Sequence, residues 1–152
     1  MTTIAAASAD MRQRIAAEAR TWLGTPYHHH GRVRGAGVDC AQLLAAVYGD
    51  VGLVPVLDLG NYPVQWHLHR GDEVFLGWLQ RAGAAPVQAS AQPQAGDVGV
   101  WRYGRAYSHG GIVVAGGADP LIVHAYIGRG VVLSRASDEP LAGREHQYWS
   151  VL

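Results

Sequence analysis

Apolar residues recur at two different periods along the chain, and the change of period falls near residue 96. In ADMRQRIAAEARTWLG (9–24), Met11, Ile15, Ala19 and Trp22 return every three or four positions, the spacing of one helix face. Ser8 or Asp10 can cap the start, and Gly24 with Pro26 predicts the stop. A turn-rich stretch, GTPYHHHGRVRGAGVD, leads to a second predicted helix over about 40–49, ended by Gly49 or Gly52. RGDEVFLGWLQRAG predicts a third, capped by Asp72 and closed by Gly83. Residues 52–71 between the last two read as a long surface connection. After Gly96 the texture becomes short β-branched and aromatic runs punctuated by Gly, Pro and Asp: DVGVWRY, HGGIVVAG, LIVHAYI, GVVLSRA and HQYWSVL. These predict about five antiparallel strands, joined to the helical half by a flexible link, ASAQPQAG (89–96). Helices followed by strands predict an α+β fold, and 152 residues suit one domain over 1–152.

Composition narrows the function classes. Charged residues are 16% of the chain, below the roughly 25% of an average domain, and the net charge is zero. The twelve basic residues are scattered, with no basic stripe interleaved with aromatics, which argues against nucleic acid as a partner. No apolar stretch approaches the roughly 18 residues of a membrane span, and the N-terminus lacks the basic and apolar regions of a signal peptide. The expectation is synthesis in the cytoplasm, with any action elsewhere depending on another carrier.

Cys40 is the one cysteine, so it cannot form an internal disulfide. With Asp39 as N-cap it opens the second helix, where unpaired amides and the positive dipole end favour a thiolate and can point at an oxyanion. The other reading is a small buried hydrophobe, the commonest role of a free cysteine. A base within reach decides between them, and there are eight histidines to choose from. His109 opens the strand of YSHGGIVVAGG and His124 lies in the next, LIVHAY. If the connection between them has an even number of residues, such as 116–119, His109 faces residue 126 and His124 becomes its diagonal neighbour on the same face. A Cys–His pair with a polar third group is the general arrangement for a cysteine nucleophile. The runs YHHHG and HLH (67–69) do not carry the spacing of a metal site, and GRVRGAG does not follow a strand as a phosphate loop would.

The ordered set GTPYHHHG, VDC opening a helix, AGDVGVW, SHGGIVV and VHA one strand later resembles the NlpC-type (NlpC/P-sixty) cell-wall cysteine peptidases, a papain-like superfamily, particularly their phage and prophage tail-associated branch. The resemblance covers about residues 10–135. It implies Cys40 as nucleophile, His109 as general base and acid, and His124 as the residue orienting His109. It also implies Tyr27 at the oxyanion site or on substrate, Asp39 as helix cap and ligand for the free amine of a peptide stem, and Ser108 as the small residue before the histidine, which serves substrate or only the turn. Ala41 stands where many members have Ser, and three histidines precede Gly31 where members have an aromatic and two glycines.

The reaction implied is hydrolysis of an amide in the peptidoglycan stem peptide, commonly between D-γ-glutamate and a diamino acid, with no metal or cofactor. A virion tail or tail-like particle, with other tail proteins as partners, is the implied setting. Two further readings stand beside it: a structural tail or assembly module that keeps the fold without the chemistry, and a thiol amidase or transferase acting on another substrate.

Overall fold

The computed structural model describes residues 4–54, 59, 60, 62 and 73–152. Among the described residues, three helices precede the main sheet: α1 (Ile4–Arg20), α2 (Cys40–Asp50) and α3 (Val74–Arg81). A small hairpin, β1 (Arg32–Val33) with β2 (Gly37–Val38), lies between α1 and α2. The main sheet comprises β3 (Ala85–Pro86), β4 (Val98–Tyr103), β5 (Ala106–Ala115), β6 (Leu121–Tyr126), β7 (Gly130–Arg135) and β8 (His146–Ser150), all antiparallel in the order β3-β8-β4-β5-β6-β7. The fold class is α+β, as the change of period predicts.

Helix α1 begins earlier than Ser8 or Asp10 would place it, so both lie inside the helix and neither caps it. Alanine is the strongest helix former, and Ala5, Ala6 and Ala7 extend the helix past the two polar residues. For α3, Asp72 and most of the 52–71 connection lie outside the described residues. The N-cap position is Glu73, whose carboxylate makes no cap bond and instead accepts from the Tyr107 backbone N–H at 3.0 Å. The 89–96 stretch is no free linker. The Arg12 guanidinium donates to the Ala95 carbonyl at 3.1 Å and to the buried Asp97 carboxylate at 2.8 Å, and the Tyr48 hydroxyl donates to the Gly96 carbonyl at 2.8 Å.

Strand alternation splits the sheet into two faces. Val98, Val100, Ile112, Val114, Val123, Ala125 and Val131 join Ile15, Ala19, Leu43 and Val47 of the helices in the main core. Trp101, Val113, Ile122 and Leu141 form a smaller cluster, with Tyr103 and Tyr148 against it. Gly110 on β5 is required by the helix side, since a Cβ there would come within 2.5 Å of Phe75 and 3.0 Å of Leu44.

Two irregularities in β5 place the candidate chemistry. Trp101 pairs with His109 but Arg102 pairs with Tyr107, so Ser108 is an extra, bulged residue. Further along, Val113 pairs with Ile122 and Ala115 with Leu121, so Val114 is a second one. The connection to β6 is residues 116–120, an odd number rather than the even number expected. In an unbroken ladder that length would turn His124 to the opposite face from His109. The bulge at Val114 restores the parity: the register Ile112↔Val123, continued along the strands, sets Tyr126 opposite His109 and His124 diagonal to it.

Candidate active site

Asp39 is the N-cap of α2, with extended backbone, and its Oδ1 accepts from the Gln42 N–H at 2.8 Å. Leu43 N–H donates to the Asp39 carbonyl at 2.9 Å. The N–H groups of Cys40 and Ala41, which have no partner within a helix, lie close enough to the thiol to act on its acidity, as does that of Gly110. The half-buried Sγ lies 3.8 Å from the Ser108 carbonyl oxygen, to which it donates. The Ser108 hydroxyl donates to the Tyr103 carbonyl at 3.4 Å.

The sequence leads one to expect a thiolate at the helix tip, and the structure reverses that. Burial, with the Asp39 carboxylate adding to it, pushes the Cys40 thiol up to about 12, against the opposing pull of the three N–H groups. A helix terminus contributes about 0.3–1 kcal/mol at a surface. Raising a thiol from 9.0 to about 12 corresponds to roughly 4 kcal/mol. Desolvation wins, and Cys40 rests as a thiol that needs a base.

His109 and His124 are both buried, and His109 Nε2 lies 2.9 Å from His124 Nδ1. His124 Nε2 lies 2.9 Å from Ser134 Oγ on β7. Burial, and secondarily the charge of Arg129, lowers His124 to about 4, so it is neutral at ordinary pH. The rings of Tyr103 and Tyr126 lie 5.5 and 5.6 Å from that of His109 and wall it on two sides.

Tyr27 bridges to Val38, two residues before Cys40, and its half-buried phenol is raised by burial and then by Cys40 and Asp39, so it remains a hydrogen-bond donor. Asp39 is 1% exposed, and its Oδ2 accepts from the His30 N–H at 2.8 Å and the Tyr62 hydroxyl at 2.5 Å. Both carboxylate oxygens are thus engaged inside the protein, Oδ2 by two donors and Oδ1 by one. Of the three consecutive histidines, His29 and His30 set Nε2 at 2.9 and 2.7 Å from the Tyr62 carbonyl, while His28 Nδ1 lies 3.0 Å from the His29 carbonyl. His30 takes up φ 64, a conformation rare outside glycine, to make its two bonds. Among the described residues no group of three His, Cys, Asp or Glu could hold a metal ion, and no helix is long and apolar enough to cross a membrane. His67 and His69 lie outside the described residues.

Comparison with known proteins identifies the family. A model of the NlpC/P60 family matches residues 24–150, which spans both Cys40 and the two strand histidines. The chain belongs to the NlpC/P60 family. The NlpC/P60 domain of the peptidoglycan hydrolase SagA superposes with a TM-score of 0.59 at 23% identity, covering 90% of this chain and 96% of that one. A lipoprotein-like NLP/P60 protein from Staphylococcus aureus gives 0.62 at 20% identity, covering 94% of this chain and 42% of that one. No curated protein sequence matches. At these identities the solved structures establish the shared papain-like fold.

Two residues of this NlpC/P60 site escape a reading of the sequence. Tyr62 sits in a stretch without periodicity, and only tertiary contact reveals its bond to Asp39. Ser134 left a fainter trace, as the polar residue in the apolar run GVVLSR; register places Val132 opposite His124, and Ser134 diagonal to it.

Proposed function

We propose that this chain is a cysteine peptidase that hydrolyses amide bonds in peptidoglycan stem peptides. The observation carrying the proposal is the thiol at the tip of α2 lying against the Ser108 carbonyl of β5, the residue before His109, whose imidazole is hydrogen-bonded to that of the neutral His124 at 2.9 Å. His109 takes the Cys40 proton as sulfur attacks the carbonyl carbon, because a thiol raised to about 12 is not ionised in advance. The oxyanion that forms is received by the N–H groups of Cys40 and Ala41, with the protonated Tyr27 phenol as a further donor. His109 passes its proton to the departing amine, then takes one from water, whose oxygen replaces sulfur on the acyl carbon, and returns it to Cys40. His124 is the neutral acceptor that holds His109 throughout.

In this reading the scissile bond joins D-γ-glutamate to a diamino acid, and the protein works as a phage or prophage tail-associated component that opens the wall locally. The ordered motifs from GTPYHHHG to VHA support that finer reading. Digestion of purified peptidoglycan, with mass spectrometry of the released muropeptides, tests it. New glutamyl carboxyl and diamino-acid amine termini are expected, and Cys40→Ala should yield none. Muropeptides unchanged by the wild-type protein would refute the proposal.

A further inference from the structure

We propose that Ser134 is a positioning residue: by accepting a hydrogen bond from His124 Nε2–H, it fixes the tautomer that leaves Nδ1 as the unprotonated, basic nitrogen of His109. This rests on the function proposed above, although its first test does not need activity.

Two short contacts constrain the positions of the protons from His109 to Ser134. A neutral imidazole carries one donor and one acceptor. His124 is fully buried and neutral, with Nδ1 at His109 Nε2 and Nε2 at Ser134 Oγ, both at 2.9 Å. Only two arrangements satisfy both bonds. In the first, His124 carries its proton on Nε2 and donates to Ser134, so His124 Nδ1 accepts from His109 Nε2–H and the lone pair of neutral His109 is on Nδ1. In the second, Ser134 donates to His124, His124 Nδ1–H donates to His109 Nε2, and neutral His109 carries its proton on Nδ1. The second arrangement cannot receive a proton at Nδ1. The first can, and it is also the only one compatible with the doubly protonated His109 formed during the reaction, which must donate from Nε2.

Removing the hydroxyl makes the first arrangement costly, because it leaves the buried His124 Nε2–H without an acceptor, and orphaned buried N–H groups are rarer in proteins than under-satisfied acceptors. His124 then moves its proton to Nδ1. The protonated state of His109 loses its acceptor, so its apparent pKa falls and the acid limb of the kcat/KM profile moves to lower pH. Fixing a tautomer is worth up to about 10⁴-fold in a serine triad. Here a drop of at least about tenfold in kcat is expected, with KM retained, because Ser134 touches no substrate.

The matched pair is Ser134→Thr and Ser134→Val, which share a volume and differ in the hydroxyl. Nitrogen-15 NMR of the imidazoles in the wild-type chain should show His124 protonated on Nε2. Ser134→Thr should keep that signal and most of the activity, whereas Ser134→Val should move the proton to Nδ1, lower kcat and shift the acid limb. The proposal is overturned if wild-type His124 is protonated on Nδ1, or if Thr and Val variants that both fold lose kcat equally. Should the wild-type chain show no hydrolysis at all, the tautomer shift alone still decides the role of Ser134, and the functional reading fails separately.

Discussion

Replacing Asp39 with asparagine separates the two things its carboxylate does. Asparagine caps helices about as well as aspartate, so the bond from Gln42 N–H to Oδ1 survives. The amide NH₂ then stands where Oδ2 stood, and it faces the His30 N–H, a second donor that has lost its acceptor. An unsatisfied buried donor costs about 1–3 kcal/mol. The Tyr62 hydroxyl can rotate to accept instead, but it exchanges a bond to a charged group for a neutral one, about 1 kcal/mol weaker. The sum is about 2–4 kcal/mol out of the 5–15 kcal/mol that holds a typical domain. The opposite effect falls on the thiol. Removing the carboxylate takes away the second of the two influences that raise Cys40, while burial, the larger one, remains. The pH midpoint of thiol alkylation should therefore fall from about 12 yet stay above the roughly 8.5 of a free cysteine. Urea unfolding followed by fluorescence, and iodoacetamide labelling across pH, give the two readouts. An unchanged unfolding midpoint, or an alkylation midpoint that rises, would refute the assignment of Asp39 as a buried electrostatic anchor.

Three further perturbations test other parts of the site. The folded pKa of His124, about 4, lies below its ordinary 6.5, so the unfolded chain takes up the proton first. Its contribution is fully present above about pH 6.5 and is lost as pH falls toward 4, by roughly 3 kcal/mol; urea midpoints should decline across that window and flatten markedly in His124→Gln. Gly111→Ala puts a Cβ within 2.5 Å of Ile122 Cγ2 and 3.0 Å of His124 Cβ. It should cost about 1–3 kcal/mol and lower kcat by displacing His124, and a variant with wild-type kcat would argue against tight placement. Tyr62→Phe removes one donor from a buried carboxylate and should destabilise by about 1.5–3 kcal/mol, measured by thermal or urea unfolding; a loss within 0.5 kcal/mol would mean that water replaces the phenol.

Much of what builds the site depends on short-range pattern, and that part is readable in the chain. Asp39 followed by Cys40 and an apolar helix is a local signal, and the cap bond to Gln42 is its structural form. The strands from Val98 onward are legible for the same reason, because alternation and turn residues are properties of neighbours. Parity is different. Whether His124 shares a face with His109 depends on how many residues separate them in register, and that number is changed by one at Val114, where nothing in GGIVVAGG marks the bulge. The odd connection 116–120 and the bulge each invert the face, and together they cancel. The acidity of Cys40 is non-local in the same sense: the helix tip is visible in the sequence, but the burial that outweighs it comes from packing. A thiol kept protonated, an imidazole held by a neutral partner, and a serine behind that partner form one consistent device only if the proton order runs outward from sulfur to Ser134. The roles of His109, His124 and Ser134 therefore stand or fall together on the tautomer of His124.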